Sequence, residues 1–328
     1  MGSNRWWSRE TIAVVTGSNK GLGLAIARGL AMEGVTTILT ARDELRGWET
    51  VDSLKQDERI DPSLIHFHRL DVTSASSIQE FARWIKTKFG GLDILVNNAG
   101  ISGATPGALT NLENSKAVID TNYLAVRKLT ESLISLMRPS SHGARIVNVS
   151  SGTSRLDALQ NQALAHKISN IDELSMEAID EIVKEYLEDV EHGRVIEKGW
   201  SRMFGAYDYC FSKIALNAYT RVLARDLSKL PEGHKIFANC MCPGVTSTAM
   251  SRNNGHSAEV GADTAIWLAL RPAIESSSGR FFSKRNDVGF DRIPFYIEKV
   301  VYTSDLEDFM ECMRKQERTR KSWREKTK

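Results

Sequence analysis

Short apolar segments alternate with longer segments of helical periodicity along most of this chain. The short segments are rich in β-branched residues and predict strands at 11–16, 36–41, 65–70, 92–96, 144–149 and 235–242. Apolar residues at helical spacing predict helices between them, most clearly at 22–33, 77–89 and 213–230. Because strict alternation of strand and helix is typical of right-handed βαβ units, the pattern predicts a parallel sheet with helices on both faces.

Two segments interrupt this alternation. Residues 152–206 separate a strand from the following helix, and within them 172–191 carry one apolar helical stripe. Residues 291–328 end in a basic run, which a solvated terminus explains better than a nucleic-acid site. We therefore predict one doubly wound Rossmann-type α/β domain over 1–290 with a helical insertion at 152–206. A C-terminal extension, partly helical or disordered, follows at 291–328.

Composition and charge narrow the class of protein. The 328 residues are 41% hydrophobic and 26% charged with a net charge of +2, which indicates neither a nucleic-acid nor a membrane partner. No run reaches the about 18 apolar residues that would span a membrane. The four cysteines form no CxxC pair and no cluster with histidine, which favours reduced thiols and predicts no metal site. Without an apolar signal core at the start, the expected compartment is cytoplasmic.

A glycine-rich turn follows the first predicted strand and opens the first predicted helix. Glycines let backbone N–H groups approach a phosphate closely, and the helix N-terminus attracts the anion. The turn is predicted to bind a dinucleotide through Gly17, Ser18, Asn19, Lys20, Gly21, Leu22 and Gly23. A tight turn without a ligand is the alternative, but the place of this turn in the first βαβ unit favours a cofactor.

The end of the second predicted strand indicates which dinucleotide binds. NAD-binding proteins usually have an acidic residue there, whose carboxylate accepts a hydrogen bond from the ribose 2′-hydroxyl. This chain has Arg42, whose guanidinium can bind a 2′-phosphate, and Lys20 can add a second positive charge. An ordinary surface arginine is the alternative. We expect NADPH because the position is special and carries no acid.

Tyr209 and Lys213 form the candidate proton-donating pair. Reduction of a carbonyl needs a proton for the developing alkoxide, and a phenol can supply it although its unperturbed pKa is near 10. Positions i and i+4 share a helix face, so the ammonium of Lys213 is expected to lower the pKa of Tyr209. Of the seven tyrosines, Tyr209 alone has a lysine four residues later, and Tyr207 does not.

In combination these motifs resemble the short-chain dehydrogenases/reductases over about residues 10–290. The motifs that carry the resemblance are TGxxxGxG at 16–23, Asp71-Val72, Asn97-Asn98-Ala99-Gly100, Asn122, Ser150-Ser151, Tyr209-x-x-x-Lys213 and Pro243-Gly244, in the family's order. More narrowly, the chain is similar to the monomeric carbonyl reductases. The Trp-Trp-Ser-x-Glu-Thr opening at 6–11 resembles the plant branch that includes salutaridine reductase and menthone/neomenthol reductases.

The resemblance implies roles for individual residues. The catalytic serine is the second of its pair, Ser151, and Asn122 holds a water that links Lys213 to solvent. Lys213 also binds the nicotinamide ribose. On the cofactor, Asp71 holds the adenine amino group, Asn98 braces the adenosine side and Thr248 contacts the carboxamide or the pyrophosphate. The remaining implied cofactor-binding residues are Val72, Ala99, Gly100, Pro243, Gly244 and Val245.

The expected activity is NADPH-dependent reduction of a ketone or aldehyde. An alcohol dehydrogenase working in the oxidative direction and a non-catalytic dinucleotide-binding regulator are the alternatives. The loops at 101–111, 152–206 and 246–259 favour a bulky apolar carbonyl substrate, with expected lining residues Leu109, Leu156, Leu159, Met203, Phe204 and Met250. We expect a monomer, because the resemblance implies that the insertion between Ser151 and Tyr209 covers the helix face on which a second subunit would dock.

Overall fold

One sheet of eight strands organises the part of the chain that the structure, a computed structural model, describes: residues 5–103, 111–200, 207–251, 253–273 and 276–291. The strands are β1 (Ile12–Val15), β2 (Thr36–Ala41), β3 (Ile65–Arg69), β4 (Ile94–Asn97), β5 (Ala144–Val149), β6 (Ile236–Cys242), β7 (Phe281–Ser283) and β8 (Asn286–Asp287). Their order is β3-β2-β1-β4-β5-β6-β7-β8. All neighbours pair in parallel except β7 and β8, which are antiparallel.

The first six strands confirm the six that the sequence predicts. The strands β7 and β8 were not predicted, because three and two residues are too few for either alternation or a long apolar run to show. They are held at the sheet edge by tertiary contacts instead. Phe281 is buried beside Cys240, Cys242, Val288 and Phe290 in a small apolar cluster of its own.

Helices cover both faces of the sheet, as the alternation predicts. Their bounds are α1 (Gly21–Met32), α2 (Glu44–Lys55), α3 (Ala75–Phe89), α4 (Leu112–Ile119), α5 (Ala125–Ile134), α6 (Gln162–Ser169), α7 (Met176–Glu191), α8 (Tyr207–Leu227) and α9 (Ala258–Leu270). Successive residues of a strand point to opposite faces, so Val14 belongs to the core that includes residues of α3, α5, α7 and α8, whereas Val15 belongs to the core that includes residues of α1, α2 and α9. Two hydrophobic cores therefore enclose the sheet, which is the doubly wound arrangement.

The carboxyl ends of the parallel strands form one edge of the sheet. The strand order reverses between β1 and β4, and ligands of open α/β sheets bind in the crevice at such a switch point. The glycine-rich turn follows β1, Arg42 follows β2, Asn98 follows β4 and Ser151 follows β5. The sheet topology therefore brings residues that are far apart in sequence to one side of the molecule.

The insertion folds against α8. Its helix α7 begins after Ser175, whose Oγ accepts a hydrogen bond from the N–H of Ala178 at 3.1 Å. The predicted apolar stripe is buried, and Tyr186 stacks on Phe211 of α8 with ring centroids 4.3 Å apart. Trp200 closes the cluster at 4.9 Å from Phe211. Residues 201–206 of the insertion and 292–328 of the predicted extension lie outside the described residues, and the 290/291 domain boundary stays a prediction.

The tryptophan pair near the start packs at the opposite edge of the sheet from the candidate site. Trp6 Nε1 donates to the carbonyl oxygen of Leu270 at 3.0 Å, and Trp7 Nε1 donates to that of Glu33 at 3.2 Å. The guanidinium of the buried Arg145 lies 4.9 Å from the Trp6 ring centroid. The pair therefore serves the fold. Within the described ranges, no helix is long and apolar enough to cross a membrane.

Candidate active site

The glycine-rich turn requires glycine at both of its ends, Gly17 and Gly23. Gly17 has a φ of +60°, which favours glycine. A Cβ on Gly23 would lie 2.4 Å from Asn98 Nδ2 and 2.5 Å from the Gly17 carbonyl oxygen, so the turn and β4 are in close contact. Lys20 precedes α1, and no side-chain hydrogen bond caps the first turn of this helix. The geometry therefore suits a bound phosphate, which needs open backbone N–H groups.

Asn98 and Thr16 hold this turn against the end of β4. Asn98 Nδ2 donates to the carbonyl oxygens of Thr16 and Gly17 at 2.9 and 3.2 Å. Thr16 Oγ1 in turn accepts from the N–H groups of Asn98 and Ala99, both at 2.9 Å. Asn98 thus braces the turn that is predicted to bind the cofactor. Thr16 was missed as a functional residue, although it is the first letter of the TGxxxGxG motif.

The side chain of Ser18 points into the protein. It is fully buried, its hydroxyl donates to the Val15 carbonyl oxygen at 2.8 Å, and it accepts from the Thr40 N–H at 3.0 Å. The Ser18 N–H also donates to the Thr40 carbonyl oxygen at 2.9 Å, so the predicted contact of Ser18 with a cofactor would have to compete with these bonds. The carbonyl oxygen of Asn19 accepts from Thr50 Oγ1 at 3.1 Å, which ties the turn to α2.

Positive charge is available where a 2′-phosphate is predicted to bind. Arg42 follows β2 and is exposed, as is Lys20, and neither makes an ion pair with the residues that the structure describes. Asp71 lies nearby, partly buried, with Oδ1 accepting from the N–H and Oγ1 of Thr73 at 2.9 and 2.7 Å. Burial opposes ionisation, but these hydrogen bonds and the charges of Arg42 and Arg69 hold the pKa of Asp71 below its ordinary value.

Ser151, Tyr209 and Lys213 meet at the carboxyl edge of β5. Ser151 lies close enough to Tyr209 for its hydroxyl to favour the phenolate and oppose part of the rise in the phenol's pKa, and Ser151 Oγ also accepts from Thr153 Oγ1 at 3.0 Å. Lys213 is buried, and its Nζ donates to the Val149 carbonyl oxygen at 2.8 Å and lies 5.8 Å from the Tyr209 ring centroid. Ser150 faces away, because its buried hydroxyl donates to Ser154 Oγ at 3.1 Å. The structure thus brings the second serine of the pair, and not the first, to the tyrosine.

The expectation that Lys213 lowers the pKa of Tyr209 is wrong for this geometry. Burial raises the pKa of Tyr209 to about 12, and the Ser151 hydroxyl opposes this only in part. Burial also lowers the pKa of Lys213 to about 8. Desolvation dominates for both groups because both are buried, and the ammonium does not offset it at the phenol because Nζ donates to the Val149 carbonyl oxygen. The phenol consequently keeps its proton at neutral pH, as a proton donor must.

Asn122 lies in a π-helical turn, Asp120–Leu124, between α4 and α5. Such turns are rare in proteins as a whole, and those that occur are often at functional sites. Its side-chain oxygen accepts from the Ile101 N–H at 2.9 Å, and Nδ2 donates to the Ile101 carbonyl oxygen at 2.8 Å and to Ser212 Oγ at 3.0 Å. A Cβ on Gly100 would lie 3.0 Å from Asn122 Oδ1 and 3.6 Å from Lys213 Nζ. The two predicted catalytic residues therefore flank Gly100, and the water relay stays a prediction.

The loop after β6 approaches the glycine-rich turn from the other side. Pro243, Gly244 and Val245 follow β6 at the carboxyl edge, with a φ of +74° at Gly244. A methyl group of Thr248 would be 3.3 Å from a Cβ on Gly21. Of the two contacts predicted for Thr248, the pyrophosphate is the one that this position favours.

The expected substrate-lining residues divide into three groups. Leu156 and Leu159 are buried in the main hydrophobic core and do not line a pocket, because the chain after Ser151 turns inward there. Met250 is 49% exposed on the loop after β6. The others, Leu109, Met203 and Phe204, lie outside the described residues.

A doubly wound sheet with these groups at its carboxyl edge is an architecture of nucleotide-dependent oxidoreductases, and comparisons with known proteins define the family. A model of the short chain dehydrogenases matches residues 11–165. Short-chain dehydrogenase/reductase 1 of Saponaria officinalis is 40% identical, with 86% of this chain and 96% of that protein covered.

Two further relatives extend the match. The (+)-neomenthol dehydrogenase of Arabidopsis thaliana is 39% identical, with 83% of this chain and 96% of that protein covered. The structure of salutaridine reductase from Papaver somniferum superposes with a TM-score of 0.75 at 35% identity, covering 84% of this chain and 99% of that chain. The chain is therefore an oxidoreductase that belongs to the short-chain dehydrogenase/reductase family, as the sequence motifs predicted.

Burying the Lys213 ammonium should cost stability that methionine would restore. With a folded pKa of about 8 against 10.5, the unfolded chain binds more protons between these values, so stability rises with pH there. Lys213→Met should therefore raise the free energy of unfolding by about 2 kcal/mol at pH 7, after allowing about 1 kcal/mol for the lost hydrogen bond to Val149. The gain should shrink as the pH rises through 8 towards 10.5.

Urea unfolding of parent and variant at several pH values measures this difference. Lys184→Met is the matched control, because the Lys184 side chain is 80% exposed on α7. Its stability difference from the parent should stay within about 0.5 kcal/mol at every pH. A Lys213→Met variant that is less stable than the parent at pH 7 would show that the ammonium is not buried at a cost.

Proposed function

We propose that this protein reduces a ketone or aldehyde to an alcohol with NADPH. The observation that carries the proposal is the meeting of Ser151 and Tyr209 beside the buried Lys213, whose Nζ lies 5.8 Å from the Tyr209 ring centroid, with a phenol that stays protonated at neutral pH. NADPH, when bound, supplies the hydride for such a reduction. The protein's task is then to hold the carbonyl, polarise it and deliver one proton.

Ser151 and Tyr209 divide that task. Both hydroxyls lie at the carboxyl edge, where they can donate to one carbonyl oxygen and stabilise the charge that develops on it. Tyr209 then gives its proton to the alkoxide, because a phenol with a pKa of about 12 is a donor throughout the neutral range and is more acidic than an alkoxide's conjugate alcohol. Lys213 binds the nicotinamide ribose hydroxyls, and Asn122 holds the water through which a proton returns.

The cofactor-binding residues fit the dinucleotide from end to end. The turn at 17–23 holds the pyrophosphate, because its tight packing on Asn98 requires glycine at Gly23 and the first turn of α1 has no side-chain cap. Arg42 and Lys20 hold the 2′-phosphate, and Asp71 accepts from the adenine amino group. The remaining proposed contacts are those of Val72, Ala99, Gly100, Pro243, Gly244, Val245 and Thr248.

Tyr209→Phe should abolish reduction while NADPH still binds. The substitution removes the proton donor and leaves the ring in place, so kcat should fall by about 10²–10⁴-fold. Loss of NADPH absorbance with a panel of ketones measures kcat, and fluorescence titration measures the Kd of NADPH. Tyr207→Phe is the control, since Tyr207 has no lysine four residues later. Activity of Tyr209→Phe within tenfold of the parent would remove the proton-donor role.

Arg42→Asp should shift the cofactor preference towards NADH. It replaces a charge that attracts the 2′-phosphate of NADPH with one that repels it. The new carboxylate can also accept a hydrogen bond from the ribose 2′-hydroxyl of NADH. The ratio of kcat/KM for NADPH to that for NADH should fall at least about 100-fold, corresponding to about 3 kcal/mol. Arg83→Asp, an equal charge reversal on α3, should leave the ratio unchanged. An unchanged ratio for Arg42→Asp would show that Arg42 does not contact the phosphate.

A bulky apolar ketone is the substrate class that we propose. The relatives described above are named for neomenthol and salutaridine, a terpenoid alcohol and an alkaloid. Met250 presents an exposed apolar side chain on the loop after β6, beside the carboxyl edge. Incubation with NADPH and a mixture of terpenoid, alkaloid and quinone carbonyl compounds, followed by mass spectrometry, identifies the substrate as the compound that gains two hydrogens.

The protein should be a monomer. The α7 helix packs on α8 through Tyr186, Phe211 and Trp200, all buried, so this face of α8 is covered from within the chain. Light scattering across a range of concentrations should give a constant mass near the chain mass of 36.6 kDa. A stable mass of twice that value would show that α7 does not close the interface or that the chain dimerises elsewhere.

We also propose that the protein works in a reducing compartment such as the cytosol. Cys240 and Cys242 are buried thiols on one strand, and burial raises the pKa of Cys240 to about 12. These thiols are free and form no disulfide with each other, as is usual for proteins of reducing compartments. Microscopy of a fluorescent fusion tests the compartment, and accumulation in the secretory pathway would contradict it.

A further inference from the structure

The insertion helix α7 makes two polar contacts that its role as an apolar cover does not require. Tyr186 Oη donates to Asp208 Oδ1 at 2.6 Å, and Asp208 immediately precedes Tyr209. Six residues earlier on the same helix, Asp180 accepts a hydrogen bond at 2.8 Å from Tyr123 Oη, and Tyr123 immediately follows Asn122. A single helix therefore reaches the chain neighbours of two residues of the proposed catalytic group.

Asp208 is the centre of the first contact. It is 5% exposed, and its carboxylate accepts from Tyr186 Oη and Ser115 Oγ, both at 2.6 Å, and from Asn114 Nδ2 at 3.4 Å. None of the ion pairs of the described ranges includes it, and burial holds its pKa above the ordinary value. Its place in the first turn of α8 favours a negative charge. A buried carboxylate is stabilised only by the groups that donate hydrogen bonds to it. Loss of one donor should therefore loosen the first turn of α8.

Asp180 is the centre of the second contact. Besides the Tyr123 hydroxyl it accepts from Arg127 Nη1, and Arg127 also pairs with Glu131 at 2.8 Å. Tyr123 itself is fully buried within the π-helical turn. The side chain of Asn122 points the other way, to Ile101 and Ser212. Fixing Tyr123 from outside therefore fixes the turn that aims Asn122 inward.

We propose that α7 is a positioning element of the active site, in which Tyr186–Asp208 holds the turn that carries Tyr209 and Asp180–Tyr123 holds the turn that carries Asn122. The inference rests on the proposed function. None of these four side chains is placed to touch the substrate or the cofactor. They act through their neighbours, so their loss should affect kcat more than binding.

Tyr186→Phe and Asp180→Asn test the two contacts separately. Tyr186→Phe removes one hydroxyl and keeps the ring that stacks on Phe211. Each variant should lower kcat about tenfold, because a small misplacement of a proton donor or relay is costly, while the Kd of NADPH stays within about twofold. Circular dichroism and NADPH binding establish that each variant is folded.

Asp189→Asn is the matched control for a general loosening of α7. Asp189 is on the same helix, is 3% exposed and accepts from Trp200 Nε1 and Arg194 Nε, both at 2.8 Å, so these partners belong to the insertion. This variant should lower the Tm but leave kcat within about twofold of the parent. A kcat loss in Asp189→Asn as large as in Asp180→Asn would show that stability, and not positioning, is what α7 provides.

Hydrogen exchange separates this inference from the proposed function. Tyr186→Phe should accelerate exchange in 207–213, and Asp180→Asn should accelerate it in 119–125, whether or not a ketone is reduced. If the parent reduces no ketone, the proposed function fails while faster exchange still supports the positioning role. Exchange that matches the parent in both segments overturns the inference whatever the activity, as does an unchanged kcat in an active parent.

Discussion

The parallel direction of seven strands is the constraint on which the rest of the structure depends. Because they run the same way, every connection leaves from the same edge, and the reversal of order between β1 and β4 opens a crevice there. The sheet therefore brings together groups that are far apart in sequence: the glycine-rich turn, Arg42, Asn98, Ser151 and Tyr209. Their meeting is set by the sheet, and only their fine positions are set by local hydrogen bonds.

Burial, more than the pairing of charges, sets the electrostatics of the site. The same desolvation raises the pKa of Tyr209 to about 12 and lowers that of Lys213 to about 8, so two values that are ordinarily close together move apart. The phenol is consequently a donor and the ammonium a group held at a cost in stability. A residue kept in this state is easier to explain by function than by folding, because an apolar side chain of similar length would pack there more stably.

Local rules account for what could be predicted. The six longer strands, the turn at 17–23 and the i, i+4 pair of Tyr209 and Lys213 follow from periodicity, φ preferences and helix geometry, which act over a few residues. The strands β7 and β8, the inward turn of Ser18 towards Thr40 and the burial of Leu156 depend on distant contacts, so nothing in the nearby sequence signals them. The prediction that Lys213 lowers the pKa of Tyr209 was wrong for the same reason. The i, i+4 spacing shows that a lysine is near the phenol, but it does not show where its Nζ points.

The insertion shows how one helix combines two kinds of contact. Its apolar stripe could be read from the sequence, because apolar packing depends on which residues share a face and little on their exact register. The Tyr186–Asp208 and Asp180–Tyr123 hydrogen bonds could not, because their partners lie 22 and 57 positions away. Apolar burial alone would allow α7 to slide along α8, since it has no direction. The two directional hydrogen bonds fix the position of α7 along α8. A site that must deliver one proton to one atom depends on such fixed positions.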